Sequence, residues 1–212
     1  DNLLPKSELI AANDALRREN QELRLQLAQA ETIAKENERL RQLVGWQKQS
    51  RWKVKLARVI YRDPANWWRT VQIDLGSRDG VSNAIPVLSA EGYLIGRVSS
   101  VSFTRSHVLL IGDPNCEVPA VVENEMRSQG IVGGGGPFDG SFVTLSHLPR
   151  SAKIKPGERL VTSELSRIYP PGIQIGHVVE EAHPVESGLI QEAEVKLSAN
   201  LSSLEEVWVM FR

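Results

Sequence analysis

The order of hydrophobic and polar positions divides the chain into a helical first part and an alternating second part. Between Pro5 and Val44 a heptad series has companion positions four residues later, and its members, apolar except for one asparagine, are Leu9, Leu16, Leu23, Ala30, Asn37 and Val44. This heptad spacing is typical of a helix that pairs with another helix. After Pro5 no glycine or proline interrupts the run before Gly45, which we expect to end the helix. The pattern therefore predicts a coiled-coil dimerisation helix over residues 1–48, through which the chain forms a homodimer.

The predicted seam of this helix combines leucines with small and polar residues. Its members are Leu9, Asn13, Leu16, Asn20, Leu23, Leu27, Ala30 and Ala34. The two asparagines lower the stability of an apolar seam but fix its register, because misaligned amides would lack hydrogen-bond partners. Forty helical residues extend about 60 Å, about twice the width of a small domain, so one domain cannot cover the whole stripe. In an alternative interpretation the helix is a solvated arm. Its C-terminal half then folds against its own chain through Ile33, Leu40 and Leu43, because the apolar stripe drifts after Ala30.

Beyond Trp52 the period changes from helical to alternating. Short runs rich in Val and Ile are separated by Gly, Pro, Asn and Asp, which is typical of strands joined by turns. We predict strands near residues 53–61, 70–75, 85–88, 93–101, 108–111, 118–123, 130–133, 142–147, 159–162, 173–180 and 206–211. The fold class is therefore mainly β with a long N-terminal helix.

An internal echo organises these strands. The pattern Gly-x-x-Ile-Gly-x-Val occurs at residues 92–98 and again, eighty positions later, at 172–178. In each copy the first glycine (Gly92, Gly172) suits a turn, and the second (Gly96, Gly176) suits a bend or a close backbone approach within a strand. The echo suggests two similar small barrels, although a chance match of this length is common in β proteins.

Strand counting predicts how the two barrels divide the chain. Five strands precede residue 112, and a small closed barrel commonly needs six, so the last strand is expected to return to the first barrel. We therefore predict two six-stranded barrels in a chymotrypsin-like arrangement. The first is discontinuous, over residues 49–112 plus 190–212, and the second covers residues 113–189.

Composition and charge limit the possible functions. The chain has 25 basic and 26 acidic residues, a net charge of -1, and no cluster of either sign, so no nucleic-acid or anionic membrane footprint is expected. Its single cysteine, Cys116, excludes an internal disulfide framework. No run of eighteen apolar residues could span a bilayer. Asp1 in place of a leading methionine suggests a longer protein.

Two barrels invite comparison with chymotrypsin-like proteases. His107, Asp113 or Asp139, and Ser141 or Ser163 follow the chain order of such a triad. Order alone is weak evidence, and no serine has the Gly-x-Ser-Gly context of an oxyanion loop, because Ser141 is followed by phenylalanine. We predict no catalytic residues, with a serine hydrolase that uses His107 or His147 as the alternative.

Metal and cofactor sites are not indicated either. The histidines His107, His147, His177 and His183 are dispersed, and Cys116 has no neighbour at ligand spacing. The glycine run 133–136 is followed by Pro137 rather than by Lys-Ser or Lys-Thr, so it predicts a hairpin connection and no phosphate loop. Trp46, Trp52, Trp67 and Trp68 lie near the junction of helix and barrel, where they would pack an interface or plug the first barrel.

The motifs in the β part resemble those of the rod shape-determining protein family MreC. They are Arg62-Asp63-Pro64 with Trp67, Gly76-x-x-x-Gly80-Val81, Gly92-x-x-x-Gly96-Arg97-Val98, Ser106-x-Val108-x-Leu110-Ile111-x-Asp113, Gly157-x-x-Leu160-Val161-Thr162-Ser163 and Pro171-Gly172-Ile173-x-Ile175-Gly176-x-Val178. The chain departs from the family pattern in two places. Glu164 and Ser166 stand where glycines are usual, and Asn83-Ala84 replaces a stretch that commonly contains glycine.

The resemblance implies a non-enzymatic scaffold of the bacterial cell-elongation machinery that maintains rod shape. It implies a single-pass inner-membrane protein, anchored by a segment before residue 1, with a dimerising helix and two barrels on the periplasmic side. The implied partners are the penicillin-binding transpeptidase of elongation, MreD and the MreB-associated membrane complex. A coiled-coil and barrel export adaptor is a further alternative, but it needs two antiparallel helices and only one is visible.

Overall fold

A single long helix, α1, covers Lys6–Gln49 of the computed structural model, which describes residues 6–49, 52–134, 140–185 and 188–211. The chain divides into two compact units, Asp1–Gln49 and Ser50–Arg212. The helix continues through Gly45, so the predicted stop at this residue is wrong. A glycine inside a helix costs only about 1 kcal/mol, and the residues after it are compatible with helix.

Thirteen strands follow in the described part of the second unit. They are β1 (Lys53–Arg62), β2 (Thr70–Ile73), β3 (Pro86–Ser89), β4 (Leu94–Val101), β5 (Ser106–Leu110), β6 (Val118–Val122), β7 (Gln129–Gly133), β8 (Phe142–Pro149), β9 (Arg159–Thr162), β10 (Gln174–Val178), β11 (His183–Val185), β12 (Ile190–Leu197) and β13 (Glu206–Phe211). All the strand pairs are antiparallel.

The strands form two six-stranded barrels, which confirms the predicted fold class. The first barrel closes in the order β1-β13-β3-β4-β5-β2, and β13 is its return strand. The second runs β10-β9-β6-β7-β8-β12 and closes through the pairing of β10 with β12, while β11 extends one side of β12. Closure leaves no free edge among the six strands of either barrel.

The strand β12 was missed by the sequence analysis, and its pairing differs from the predicted boundary at residue 190. It pairs with β8 and β10, so residues 190–197 belong to the second barrel and only the final segment returns to the first. Ala193, Val195 and Leu197 are buried between charged neighbours. A run of Ala, Glu and Lys has little strand propensity, so pairing with β8 rather than local preference determines the conformation. The remaining limits of the domains stay a prediction.

The two barrels have the same topology once the first is read from β13. Taking β13, β1, β2, β3, β4 and β5 in that order gives the pairings of β6, β7, β8, β9, β10 and β12, strand for strand. The first barrel is therefore a circular permutation of the second, with its opening strand moved to the end of the chain. In this correspondence β4 matches β10, and these are the two strands that carry the sequence echo.

The hairpins β3–β4 and β9–β10 match in detail. Ser89 N–H donates to the carbonyl of Tyr93 at 2.7 Å, and Thr162 N–H donates to that of Ile173 at 2.9 Å. The hydroxyl at each position accepts the returning N–H, at 3.3 Å from Ser89 and 2.9 Å from Thr162. Both hairpins also shift register at the same place, two residues after the return, where a bulge precedes the in-strand glycine.

The core of each barrel is built from the inward residues of alternating strands. In β13, however, Trp208 and Met210 are as buried as Val207 and Val209, so both faces of this strand are covered. The Trp208 indole N–H donates to the Ala90 carbonyl at 3.2 Å, which satisfies its polar group. The return strand is thus held by apolar packing as well as by its ladder.

Candidate interaction site

The apolar stripe of α1 is exposed in the single chain. Leu16, Leu23 and Leu27 have 64, 56 and 61% of their surface accessible, and Asn13 and Asn20 are also exposed. Exposed leucines on one stripe are what a pairing helix presents before its partner is added. Of the other predicted seam residues, Ala30 and Ala34 are exposed, and the side chain of Leu9 lies outside the described part.

The polar faces of α1 carry short-range bonds that support the helix. Arg39 forms an ion pair with Glu36 at 2.7 Å, and this pair lowers the pKa of the Glu36 carboxyl. One turn apart, Arg18 Nε donates to the Asp14 backbone carbonyl at 3.3 Å. Such exposed pairs add only tenths of a kcal/mol each.

The four glycines of the echo occupy equivalent, constrained positions. Gly92 and Gly172 have φ values of +90° and +84°, where side chains other than glycine are strained. A Cβ on Gly96 would overlap the backbone carbonyl of a neighbouring strand, and a Cβ on Gly176 would do the same. The strand is β5 in the first case and β12 in the second, which are matching strands in the two barrels.

Trp67 and Trp68, in the β1–β2 loop, lie between the barrels. Their rings meet edge to face at a centroid distance of 5.8 Å. A Cβ on Gly140, which begins the return segment toward β8, would lie 2.8 Å from the Trp67 ring and 2.9 Å from Trp68 Cβ. The sequence analysis expected this pair at the junction of helix and barrel, or as a plug. The structure instead places it against the second barrel.

The linker between the barrels, residues 111–117, is short and anchored. Asp113 is 6% exposed and accepts hydrogen bonds from the backbone and side chain of Asn115 at 2.8 and 2.9 Å. Arg69, just before β2, approaches the same carboxylate at 3.5 Å. The linker thus holds a tight turn that is tied back to the first barrel.

A buried polar group lies where the β9–β10 loop meets the first barrel. The Tyr169 hydroxyl is 3.9 Å from Cys116 Sγ, which lies 3.7 Å from the Leu109 carbonyl. Burial raises the pKa of the Cys116 thiol to about 11, so the thiol stays protonated and unreactive at neutral pH. Burial also raises the pKa of Tyr169, and the nearby Arg97 guanidinium partly opposes that rise. Cys116 is therefore a packing residue.

An open cleft of about 410 Å³ separates this loop from the mouth of the first barrel. Its walls mix polar and apolar surface, with one cation, Arg167, on the side of the second barrel. The lining residues are Gly80, Ser82, Asn83, Ala84, Ile85, Pro86, Arg167, Ile168, Met210 and Phe211.

Three of the described side chains considered as catalytic have a local partner. The His107 ring lies 3.3 Å from the Gln72 amide on β2, and Asp113 is engaged in its own turn. The Ser163 hydroxyl is buried and accepts from the Leu165 N–H at 3.2 Å. No hydrogen bond joins two of these three described side chains. Asp139 lies outside the described residues, as do Gly135 and Gly136 of the glycine run.

His147 contacts a serine, but only its sequence neighbour. Its Nδ1 is 2.9 Å from the Ser146 Oγ, and that hydroxyl is also within 3.2 Å of the Ile131 carbonyl. The backbone of His147 has a φ of +59°. In the part of the chain that the structure describes, no group of three or more His, Cys, Asp or Glu side chains could hold a metal ion.

Comparison with known proteins gives one consistent result. A family profile described as Rod shape-determining protein MreC, barrel core, matches residues 59–211, which include nearly all of both barrels. The cell shape-determining protein MreC of Listeria monocytogenes is 36% identical over 158 residues, 74% of this chain and 52% of that protein. MreC of Escherichia coli is 34% identical over 180 residues, 81% and 48% of the two chains. The chain thus spans about half the length of these curated relatives.

Solved structures agree with the fold. MreC from Listeria monocytogenes is 30% identical with a TM-score of 0.70, covering 95% of this chain and 96% of that one. The major periplasmic domain of the cell shape-determining filament MreC is 24% identical with a TM-score of 0.63, over 76 and 98% of the chains. A chain of the complex between Penicillin-Binding Protein (PBP2) and MreC from Helicobacter pylori has 16% identity and a TM-score of 0.57, over 76 and 100%. The last two show the fold alone. None of the described helices is long and apolar enough to cross a bilayer.

Proposed function

The chain belongs to the MreC family of rod shape-determining proteins, its barrels correspond to the family's periplasmic domain, and on that premise we propose that it is a scaffold of the cell-elongation machinery. The family is one of non-enzymatic cell-shape proteins. The observation that carries the proposal is the match of the barrel-core profile across both barrels. In this role the chain binds other proteins on the periplasmic side of the inner membrane and performs no covalent chemistry.

The helix supplies the dimer contact in this proposal. Support comes from the exposed leucines Leu16, Leu23 and Leu27 on one stripe and from the length of α1, which extends about 65 Å. The seam of eight residues from Leu9 to Ala34 stays a prediction, as does an anchor in the membrane before residue 1.

The barrels supply the partner surface. The partner we propose is the penicillin-binding transpeptidase of elongation, because the related MreC from Helicobacter pylori was solved in a complex with PBP2. We also propose contact with MreD and, through the membrane, with the MreB-associated complex. The open cleft and the outer faces of the closed barrels are where such proteins could dock.

The test is a binding titration with the extracytoplasmic part of the elongation transpeptidase from the same cell. Immobilised chain, residues 1–212, is expected to bind it saturably, whereas a helix peptide of residues 1–49 is expected not to. Equal binding by the helix peptide would move the partner surface off the barrels. No binding to either would contradict the scaffold role as stated.

A second measurement distinguishes the scaffold role of the chain from the alternative role of a serine hydrolase. A fluorophosphonate probe should leave Ser141 and Ser163 unlabelled, because Ser163 is buried and bonded within its own turn. Labelling that disappears in His107→Ala or His147→Ala would overturn the non-enzymatic role, since only a base that activates its serine produces that dependence.

A further inference from the structure

The loop between β9 and β10 is longer than its counterpart in the first barrel. Two residues, 90 and 91, lie between Ser89 and Gly92, whereas nine residues, 163–171, lie between the matching Thr162 and Gly172. The second barrel therefore carries seven extra residues at a place where the shared topology does not need them. We call residues 163–171 the strap.

The strap has a defined internal structure. The Ser163 N–H donates to the Pro119 carbonyl at 2.9 Å, which fixes its start to β6. Inside it, the Ser166 hydroxyl accepts from the N–H groups of Ile168 and Tyr169 at 3.2 and 2.9 Å. These turns fix the direction in which the side chains of the strap project. Among the described residues of the strap, none has a positive φ, so Glu164 and Ser166 fit where the family usually has glycines.

The far side of the strap contacts the first barrel. Tyr169 is 1% exposed, and its hydroxyl lies at the group formed by Cys116 and Arg97, the latter on β4. One residue earlier, Ile168 shares a wall of the cleft with Met210 of β13. The strap thus reaches the first barrel at Tyr169 and faces β13 across the cleft, while its own ends belong to the second barrel.

The described residues also meet across the barrels outside the strap. These contacts include the Trp67 ring against Gly140, the Arg69 ion pair with the linker at Asp113, and the contact of β10 with β4. Two domains joined by a short linker move relative to one another unless an apolar interface holds them. A buried tyrosine at the junction of two domains adds apolar area, and its hydroxyl adds a directional contact.

We propose that the strap is the element that fixes the angle between the two barrels, with the buried Tyr169, whose hydroxyl lies 3.9 Å from Cys116 Sγ, as its anchor. Removal of the hydroxyl leaves the ring in place but removes this directional contact. Removal of the extra residues leaves the two barrels joined by the linker, the Trp67 contact and the contact of β10 with β4.

The experiment measures distances between the barrels by double electron–electron resonance. Spin labels are placed at Thr104→Cys and Glu125→Cys, two exposed positions in the first and second barrel. Cys116 is fully buried and does not compete for the label. Labelled chain is mixed with an excess of unlabelled chain, so that only pairs within one chain contribute.

The variants separate the hydroxyl from the loop. Tyr169→Phe removes one bond, and replacement of residues 163–171 by the two residues Ala-Glu copies the short loop of the first barrel. Tyr61→Phe, at a tyrosine that is 59% exposed, is the matched control.

The parent and Tyr61→Phe should give one narrow distance distribution. Tyr169→Phe should raise the population of other inter-barrel angles relative to the native angle by about fivefold, as expected for loss of one hydrogen bond between neutral groups. The short-loop variant should show a broad distribution, with β-sheet circular dichroism retained. A distribution of parental width in Tyr169→Phe would overturn the anchor role, whether or not the short-loop variant folds. Parental width in a folded short-loop variant would overturn the strap as a whole.

Discussion

Ala84 and Gly157 occupy the same place in the two barrels, but only glycine suits the backbone conformation there. The N–H of Ala84 donates to the Val98 carbonyl at 2.9 Å, and that of Gly157 donates to the matching Val178 carbonyl at 2.8 Å. Their φ values are +63° and +87°, both in the left-handed region. Left-handed backbone costs a residue with a Cβ about 1–2 kcal/mol. Ala84 therefore holds strain that its counterpart avoids.

We expect Ala84→Gly to raise the free energy of unfolding by about 0.5–1 kcal/mol, because relief of strain exceeds the entropy that glycine adds to the unfolded chain. Urea unfolding monitored by tryptophan fluorescence measures the change. The reverse substitution, Gly157→Ala, is the control and should lower stability by about 1 kcal/mol. No atom lies within 4 Å of a Cβ at Gly157, so backbone strain is its only cost. Unchanged stability in both variants would show that the backbone relaxes at these turns.

The in-strand glycines carry a different constraint, which is space. We expect Gly96→Ala and Gly176→Ala each to destabilise the chain by about 3 kcal/mol, since each new Cβ overlaps a carbonyl that belongs to the barrel's own ladder. Gly133→Ala is the control, because no atom lies within 4 Å of its Cβ. Melting temperatures of the two variants within a degree of the control would mean that the barrels open at this point without cost.

The sequence analysis predicted that these glycines suit a turn and a close approach, but it did not predict the strand pairing that requires them. A repeated Gly-x-x-Ile-Gly-x-Val pattern indicated a turn and a close approach, and both are present. The bulge before each second glycine, and the strain at Ala84, depend on which strand pairs with which. Such pairing is a long-range property, and no local pattern reports it.

The element that the sequence described best is the helix. Its period, its polar faces and its exposed leucines are local properties, so they can be read from the residues directly. The strap was not predictable, because it resembles any polar loop until the first barrel is placed beside it. The strand β12 was missed for the opposite reason: its charged residues suit a helix, and only its pairing with β8 makes it a strand.

The dimer contact of α1 can be tested by charge. Leu16→Asp combined with Leu23→Asp should give monomers in sedimentation equilibrium, because burying a carboxylate in an apolar seam costs at least several kcal/mol. Leu25→Asp is the matched control; this leucine is 67% exposed but lies off the predicted seam, and its variant should keep the parental mass. A dimer that survives the double substitution would place the pairing contact elsewhere.

At the scale of the whole molecule, the circular permutation of the first barrel is the feature with the widest effect. The sequence analysis predicted that the final strand returns, because five strands do not close a barrel, and the structure bears this out. It could not predict that the two barrels share one topology, since that follows from the complete set of pairings. The strap acts on this same level, because it adds a buried contact between the two permuted barrels.

The return of β13 also sets the order in which the molecule can be completed as it leaves the ribosome. Arg58 pairs with Glu206, so the ladder that closes the first barrel joins residues separated by 148 positions in the sequence, and every strand of the second barrel is made in between. Until then β1 and β3 each have an unpaired edge, the kind of edge that recruits foreign strands. The first barrel is therefore synthesised before the second but closes after it.

Pulse-labelled hydrogen exchange during refolding should show amides of β8 and β12 protected before those of β1 and β3, and the reverse order would refute this sequence of events. A nascent chain therefore carries an open sheet while the whole second barrel is made, so the first barrel needs shielding until β13 arrives.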